Sequence, residues 1–132
     1  MPTAPLPRPT DAELAILRVL WSKGPSTVRQ VYDVVARGRT LVYTTVLKLL
    51  QIMTDKGLTT REPLGVQHVY TARRTEQDTQ RQLVKDLLDR AFAGSTSQLV
   101  LQALASTTAS PAELREIKRL LAAAGTAKEK KP

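Results

Sequence analysis

The chain has 132 residues, 42% of them hydrophobic, which is enough for one ordinary domain or a small domain with an accessory element and too little for a multi-domain enzyme. Twenty Lys and Arg against twelve Asp and Glu leave a net charge of +8, a balance suited to polyanions such as nucleic acid or an anionic membrane surface. The absence of cysteine excludes disulfides, thiolate metal sites and cysteine nucleophiles, and a single histidine, His68, excludes a histidine-rich metal site, so neither a metal nor a cofactor is expected.

Residues 1–9 hold four of the eight prolines and read as a flexible leader. Thr10-Asp11-Ala12-Glu13 is a capping box that opens a first helix, with Leu14, Leu17 and Trp21 recurring on one face, Ile16 and Leu20 flanking, and Gly24-Pro25 as the stop. A second box, Thr27-Val28-Arg29-Gln30, opens a helix with Val28, Val31, Tyr32 and Val35 on one face that ends near Gly38. Residues 43–56 place Val46, Leu49, Leu50 and Met53 at helical spacing before Gly57. The period then changes to two. Leu58 to Glu62 and Val66 to Thr71 read as a hairpin around a Pro63-Leu64-Gly65 turn.

Thr75 restarts a helix with Val84, Leu87, Leu88 and Ala91 on one face, ending at Gly94. Ser97 to Ala105 is a short helix that is apolar on most sides. Ser110-Pro111 caps a last helix carrying Leu114, Ile117, Leu120 and Leu121, with Gly125 as its stop and 125–132 as a basic flexible tail. No run of 18 apolar residues occurs and residues 1–9 lack the apolar stretch of a signal peptide, so no membrane insertion is expected and the cytoplasm is the default compartment. The expected class is mainly α with a small β-hairpin.

The charge is not evenly spread: residues 25–74 carry eight basic and three acidic groups. Three helices followed by a hairpin is the element order of a winged helix-turn-helix, whose third helix enters the major groove. With Val46, Leu49, Leu50 and Met53 inward, Thr44, Lys48, Gln51 and Asp55 lie opposite at about 100° per residue. Thr contacts base edges or thymine methyls, Gln pairs with adenine, and Lys reaches guanine or phosphate, although any amphipathic helix also has a polar outer face. Trp21 reads first as a core residue and second as a ligand platform. His68 reads first as a half-buried strand residue and second as a pH switch or metal ligand. For Tyr43, packing and a phosphate contact stand side by side. Glu113 with Glu116, and Asp86 with Asp89, have the spacing of solvated helix faces. There is no glycine-rich phosphate loop and no nucleophile–base pair at a recognisable spacing, so an enzyme is not expected.

Several motifs run together: Thr10-Asp11-Ala12-Glu13-Leu14 through Leu20-Trp21, Gly24-Pro25-Ser26-Thr27-Val28-Arg29-Gln30-Val31, Tyr43-Thr44-Thr45-Val46-Leu47, Lys56-Gly57-Leu58 and Thr60-Arg61-Glu62. With Phe92-Ala93-Gly94-Ser95, Leu99-Val100 and Ser110-Pro111-Ala112-Glu113-Leu114, the chain resembles the penicillinase-repressor (BlaI/MecI/CopY) family along nearly its whole length. The resemblance implies a homodimeric winged-helix repressor on a palindromic operator, with a DNA-binding domain over 10–74 and a helical dimerisation domain over 75–124. Thr44, Thr45, Lys48 and Gln51 are then the base-reading residues, and Arg29, Arg37, Arg39, Tyr43 and Arg61 the backbone contacts. Leu99, Val100, Leu101 and Leu104 cover too much of a short helix to face one small core, and with Leu87, Leu88, Phe92, Leu114, Ile117 and Leu121 they form the expected dimer surface.

In the penicillinase branch of the family an Asn-Phe bond of the dimerisation helix is cut by a membrane metalloprotease sensor, and Gln102-Ala103 stands at the corresponding place here. The hairpin tip, Pro63-Leu64-Gly65-Val66, has no charged residue beside its glycine. The copper-responsive branch's cysteine-rich site has no counterpart. A rival reading from another class is a winged-helix module used for protein association, its basic patch docking an acidic partner.

Overall fold

The computed structural model describes residues 7–129, with side chains through 126; residues 1–6 of the expected leader and 130–132 of the expected tail lie outside the described residues. The described residues form six helices: α1 (Asp11–Lys23), α2 (Val28–Val35), α3 (Tyr43–Lys56), α4 (Glu76–Ala91), α5 (Thr96–Ser106) and α6 (Pro111–Glu129). Three strands accompany them, β1 (Ser26–Thr27), β2 (Thr59–Leu64) and β3 (Gln67–Ala72), in one antiparallel sheet of order β1-β3-β2. The chain divides into two compact units, 1–86 and 87–132, the division falling within α4.

In the first unit both capping boxes form. The Glu13 amide donates to Thr10 Oγ1 at 3.2 Å while the Thr10 amide donates to Glu13 Oε1 at 2.9 Å, and Thr27 and Gln30 repeat the exchange. α3 ends where the sequence places its stop, because Gly57 takes the left-handed conformation at φ 87° and lets the Leu58 amide reach the Met53 carbonyl. The core joins Ile16, Leu17, Val19 and Leu20 of α1 to Val28, Val31 and Val35 of α2, Val46, Leu50 and Met53 of α3, and Leu58 and Tyr70 of the sheet.

Four features of the first unit differ from the expectation. The inward face of α1 is Ile16, Leu17, Val19 and Leu20, while Leu14 and Trp21 are only half-buried; Trp21 sits at the rim because its indole N–H needs a partner, which is the Arg74 carbonyl at 2.9 Å. The strand β1 is additional: Ser26 pairs with Tyr70 and Thr27 with Val69, tying the entry of α2 to the central strand. The hairpin turns at Gly65-Val66, with Pro63 kept inside β2 opposite His68, which an edge strand permits. His68 is exposed rather than half-buried, because this end of the hairpin has run past the helices and every residue from Thr60 to His68 is exposed.

In the second unit Ala93 (φ 50°) and Gly94 (φ 81°) close α4, and the Phe92 and Gly94 amides both reach the Leu88 carbonyl. Ser95 and Ser110 accept the amides of Gln98 and Glu113 at the starts of α5 and α6. α6 does not stop at Gly125 but continues to Glu129; Gly125 keeps a helical backbone between alanine-rich flanks, and Thr126 Oγ1 donates to the Ala122 carbonyl. No residue of α5 is buried, and Leu101, Leu104, Leu114, Leu120 and Leu121 are exposed.

Candidate nucleic-acid interface

Burial of Val46, Leu50 and Met53 fixes the rotation of α3, and the rotation decides what the helix offers to solvent. Thr44, Thr45, Lys48, Gln51 and Asp55 are exposed away from that buried face, while Tyr43, which shares the face of Val46 and Leu50, is exposed because it stands at the helix start. The helix is further anchored at its C-terminal end. Lys56 donates to Glu13 of α1 at 2.9 and 3.2 Å, and Thr54 Oγ1 donates to the Leu50 carbonyl and lies 2.9 Å from Thr59 Oγ1. Burial raises the pKa of Glu13, but the hydrogen bonds from the Thr10 amide and the Lys56 ammonium outweigh it and hold the carboxyl below its ordinary value. One carboxylate therefore caps α1 and pins α3.

A groove of about 240 Å³ separates the start of α3 from the hairpin, and it brings together Arg29, Tyr43, Gln51, Arg61 and His68. Register explains why Arg61 and His68 point there: Arg61 pairs with the buried Tyr70, and side chains of paired residues share one face of the sheet. On the α2 side, the Arg29 guanidinium lies 5.8 Å from the Tyr32 ring and 5.9 Å from the Tyr43 ring, and the two rings meet edge to face at 5.7 Å. Tyr43 thus packs and remains exposed at once. Thr44, Thr45 and Lys48 line a separate depression with Leu49 and Ile52 along the outer side of α3.

The remaining two expected contacts lie elsewhere. Arg37 is exposed in the turn after α2, and Arg39 lines a concavity between α1 and α2 with Arg18 and Lys23. The start of α3 adds a feature that the expected contacts do not include. Five of the six helices open on a Thr or Ser whose hydroxyl accepts a first-turn amide, whereas α3 follows Val42, which offers no side-chain cap. Its leading amides are left for an outside acceptor, and a helix N-terminus favours an anion there. The signal was present in the sequence as the one helix start without a hydroxyl. Among the described residues no group of three or more His, Asp or Glu is placed to hold a metal ion, and no helix is long and apolar enough to cross a membrane.

The sequence profile described as "Penicillinase repressor" matches residues 9–123. The chain belongs to the penicillinase repressor family. A Mycobacterium tuberculosis relative, "Transcriptional regulator BlaI", is 33% identical over 99 residues, which cover 74% of this chain and 72% of the relative. The "Penicillinase repressor" of Bacillus licheniformis is 25% identical over 116 residues, 88% of this chain and 91% of that protein. Among solved structures, the DNA binding domain of the repressor BlaI superposes with a TM-score of 0.51 at 25% identity, covering 58% of this chain and 93% of that one. The winged-helix fold expected from the element order is thus shared with a repressor's DNA-binding domain, in a family of transcriptional repressors rather than enzymes.

Of the residues expected to form a dimer surface, Leu87, Leu101, Leu104, Leu114 and Leu121 are exposed, while Leu88, Phe92, Leu99, Val100 and Ile117 are half-buried. Gln102 and Ala103, the residues expected to flank a cleavable bond, are exposed on α5.

Proposed function

We propose that this protein is a homodimeric, sequence-specific DNA-binding repressor that places α3 in the major groove of each half of a palindromic operator. The observation that carries the reading is the outer face of α3. Thr44, Thr45, Lys48 and Gln51 stand exposed on a helix whose uncapped N-terminus opens beside Arg29 and Tyr43, with Arg61 across the groove. In this reading the uncapped amides, Arg29, Tyr43 and Arg61 hold phosphates, Arg37 and Arg39 reach flanking phosphates, and the four polar residues read base edges. Residues 10–74 bind DNA and 75–124 dimerise, because the apolar face of α5 and α6 finds no cover within its own unit.

Dimerisation couples the two half-site contacts through high effective concentration, so separating the subunits releases DNA without altering either α3. Cleavage in α5 at Gln102–Ala103 by a membrane metalloprotease sensor would do this once the helix opens locally. The test is a gel shift and footprint on DNA upstream of the chain's own gene, for the parent and for Lys48→Ala and Gln51→Ala. Protection of two symmetric half-sites, weakened by both variants, supports the proposal. Equal binding by all three proteins would remove α3 as the reading helix.

A further inference from the structure

A larger concavity, about 400 Å³, lies between α1 and the end of α2, within the ~300–1,000 Å³ range of small-molecule sites. Its floor is apolar: Ala15 and Val19 come from α1, Val34 and Val35 from α2. Arg18, Lys23 and Arg39 bring three cations to the lining, and Ser22 and Gly38 complete it. No carboxylate lines the pocket. Among the described residues the side chains of Arg18, Lys23 and Arg39 make no hydrogen bond or ion pair, in contrast to Arg8, Arg29, Lys56, Arg81 and Arg119, each of which has a carboxylate partner. With three cations and no carboxylate in one lining, an anion seated there meets only favourable side-chain charge. A flanking DNA phosphate at Arg39 leaves Arg18, Lys23 and the apolar residues idle, whereas a molecule with both an anionic head and an apolar body uses the whole lining.

We propose that this pocket binds a small amphipathic carboxylate. The aliphatic or aromatic body lies on Ala15, Val19, Val34 and Val35, and the carboxylate is held by Arg18, Lys23 and Arg39. Gly38 and Arg39 belong to the turn that delivers the chain into α3, so a bound molecule sits where it can bear on that helix. This last consequence rests on the reading of α3 as the DNA-contacting helix; the binding itself does not.

The test needs no DNA. Octanoate is titrated into the full chain while backbone amide signals are followed by NMR, with acetate, which lacks the apolar body, and octylammonium, which reverses the charge, as comparison probes. Octanoate should saturate with a Kd at or below about 1 mM, moving the amides of Ala15, Val19, Val34 and Gly38, with acetate and octylammonium at least about tenfold weaker. Ala15→Leu, which fills the floor, and the double variant Arg18→Ala with Lys23→Ala, which keeps the floor and removes two surface charges, should each lose about tenfold or more in affinity. The proposal is overturned by any of three results: no saturable response, equal binding of acetate or octylammonium, or octanoate shifts confined to α4–α6. Undiminished binding by both variants overturns it as well.

Discussion

The two units of this chain differ in how they satisfy their apolar residues. In residues 1–86 the aliphatic side chains of three helices and a sheet close on one another, and Ile16, Val31, Val46, Leu50 and Met53 have no exposed surface at all. In residues 87–132 a comparable density of leucine forms helices without burying any of them, and Leu101 and Leu121 each leave more than half their surface in water. Burying a side chain of this kind contributes about 1.5–3 kcal/mol, which the first unit gains many times over and the second leaves largely unused. Side-chain capping does not follow this difference, since α5 and α6 are both capped while α3 of the first unit is not. Local propensity alone therefore does not separate a unit that buries its apolar residues from one that leaves them in water; the presence of a facing layer does.

The sharpest break of that contrast comes from equal truncations in the two units. Leu50→Ala should destabilise the first unit by about 2–5 kcal/mol, measured by denaturant unfolding followed through Trp21 fluorescence. Leu101→Ala should leave that transition unchanged and weaken self-association instead, seen as a shift of the dimer–monomer midpoint to higher concentration. If Leu101→Ala lowered the first unit's midpoint as Leu50→Ala does, the contrast between the two units would be wrong.

Next in size is the buried anchor of α3. Glu13→Gln keeps a capping side chain but loses the charge that Lys56 faces, and it should cost about 1–3 kcal/mol. The same pair sets a pH dependence. Because the folded carboxyl is held below its ordinary value, folding favours the ionised form; that stability is fully present above the ordinary carboxylate range and is lost as pH falls through the lowered value. Acid unfolding of the parent should therefore fall more steeply than that of Glu13→Gln, whose stability in the acid range lacks this contribution. Parallel curves would show that Glu13 is not held ionised.

On the DNA side, Gln51→Ala should change base preference by about 1–3 kcal/mol at one position of each half-site, while Lys48→Ala should reduce the slope of log affinity against log salt by about 0.9 for each phosphate that Lys48 neutralises. Quantitative footprinting across a salt series separates the two. A Gln51→Ala protein with unchanged preference and weaker binding everywhere would move that residue from the bases to the backbone.

Much of this arrangement was legible in the sequence. Thr10, Thr27 and Gly57 mark helix ends by local chemistry, and the apolar spacing of Val46, Leu50 and Met53 fixes which side of α3 stays in water. What escaped depended on partners distant in the chain. The two residues of β1 are too few for a period to register, and only pairing with Val69 and Tyr70 makes them a strand. Glu13 reads as a cap, and its second role needs Lys56, 43 residues away. Leu14 and Trp21 fit a helical stripe as well as Val19 does, and the packing of α2 and α3 onto α1 chose between them. His68 illustrates the converse, since strand alternation does not reveal where a hairpin outruns its core.

The smallest expected effect concerns Gly125, which as a helix terminator would resist replacement. Inside the continuous α6 it lacks a positive φ, and a Cβ there meets nothing within 4 Å. Gly125→Ala should accordingly stabilise the second unit by up to about 1 kcal/mol and raise helicity by circular dichroism. Loss of helicity would place the end of α6 at Gly125 instead.

The most direct test of the central claim, that α5 and α6 find their missing layer in a second copy of the chain and that the dimer is the DNA-binding species, is sedimentation equilibrium of the full chain with and without operator DNA. The account predicts twice the 14.5 kDa chain mass at micromolar concentration and two chains per operator. A 14.5 kDa species that binds the operator with undiminished affinity as one chain would contradict it.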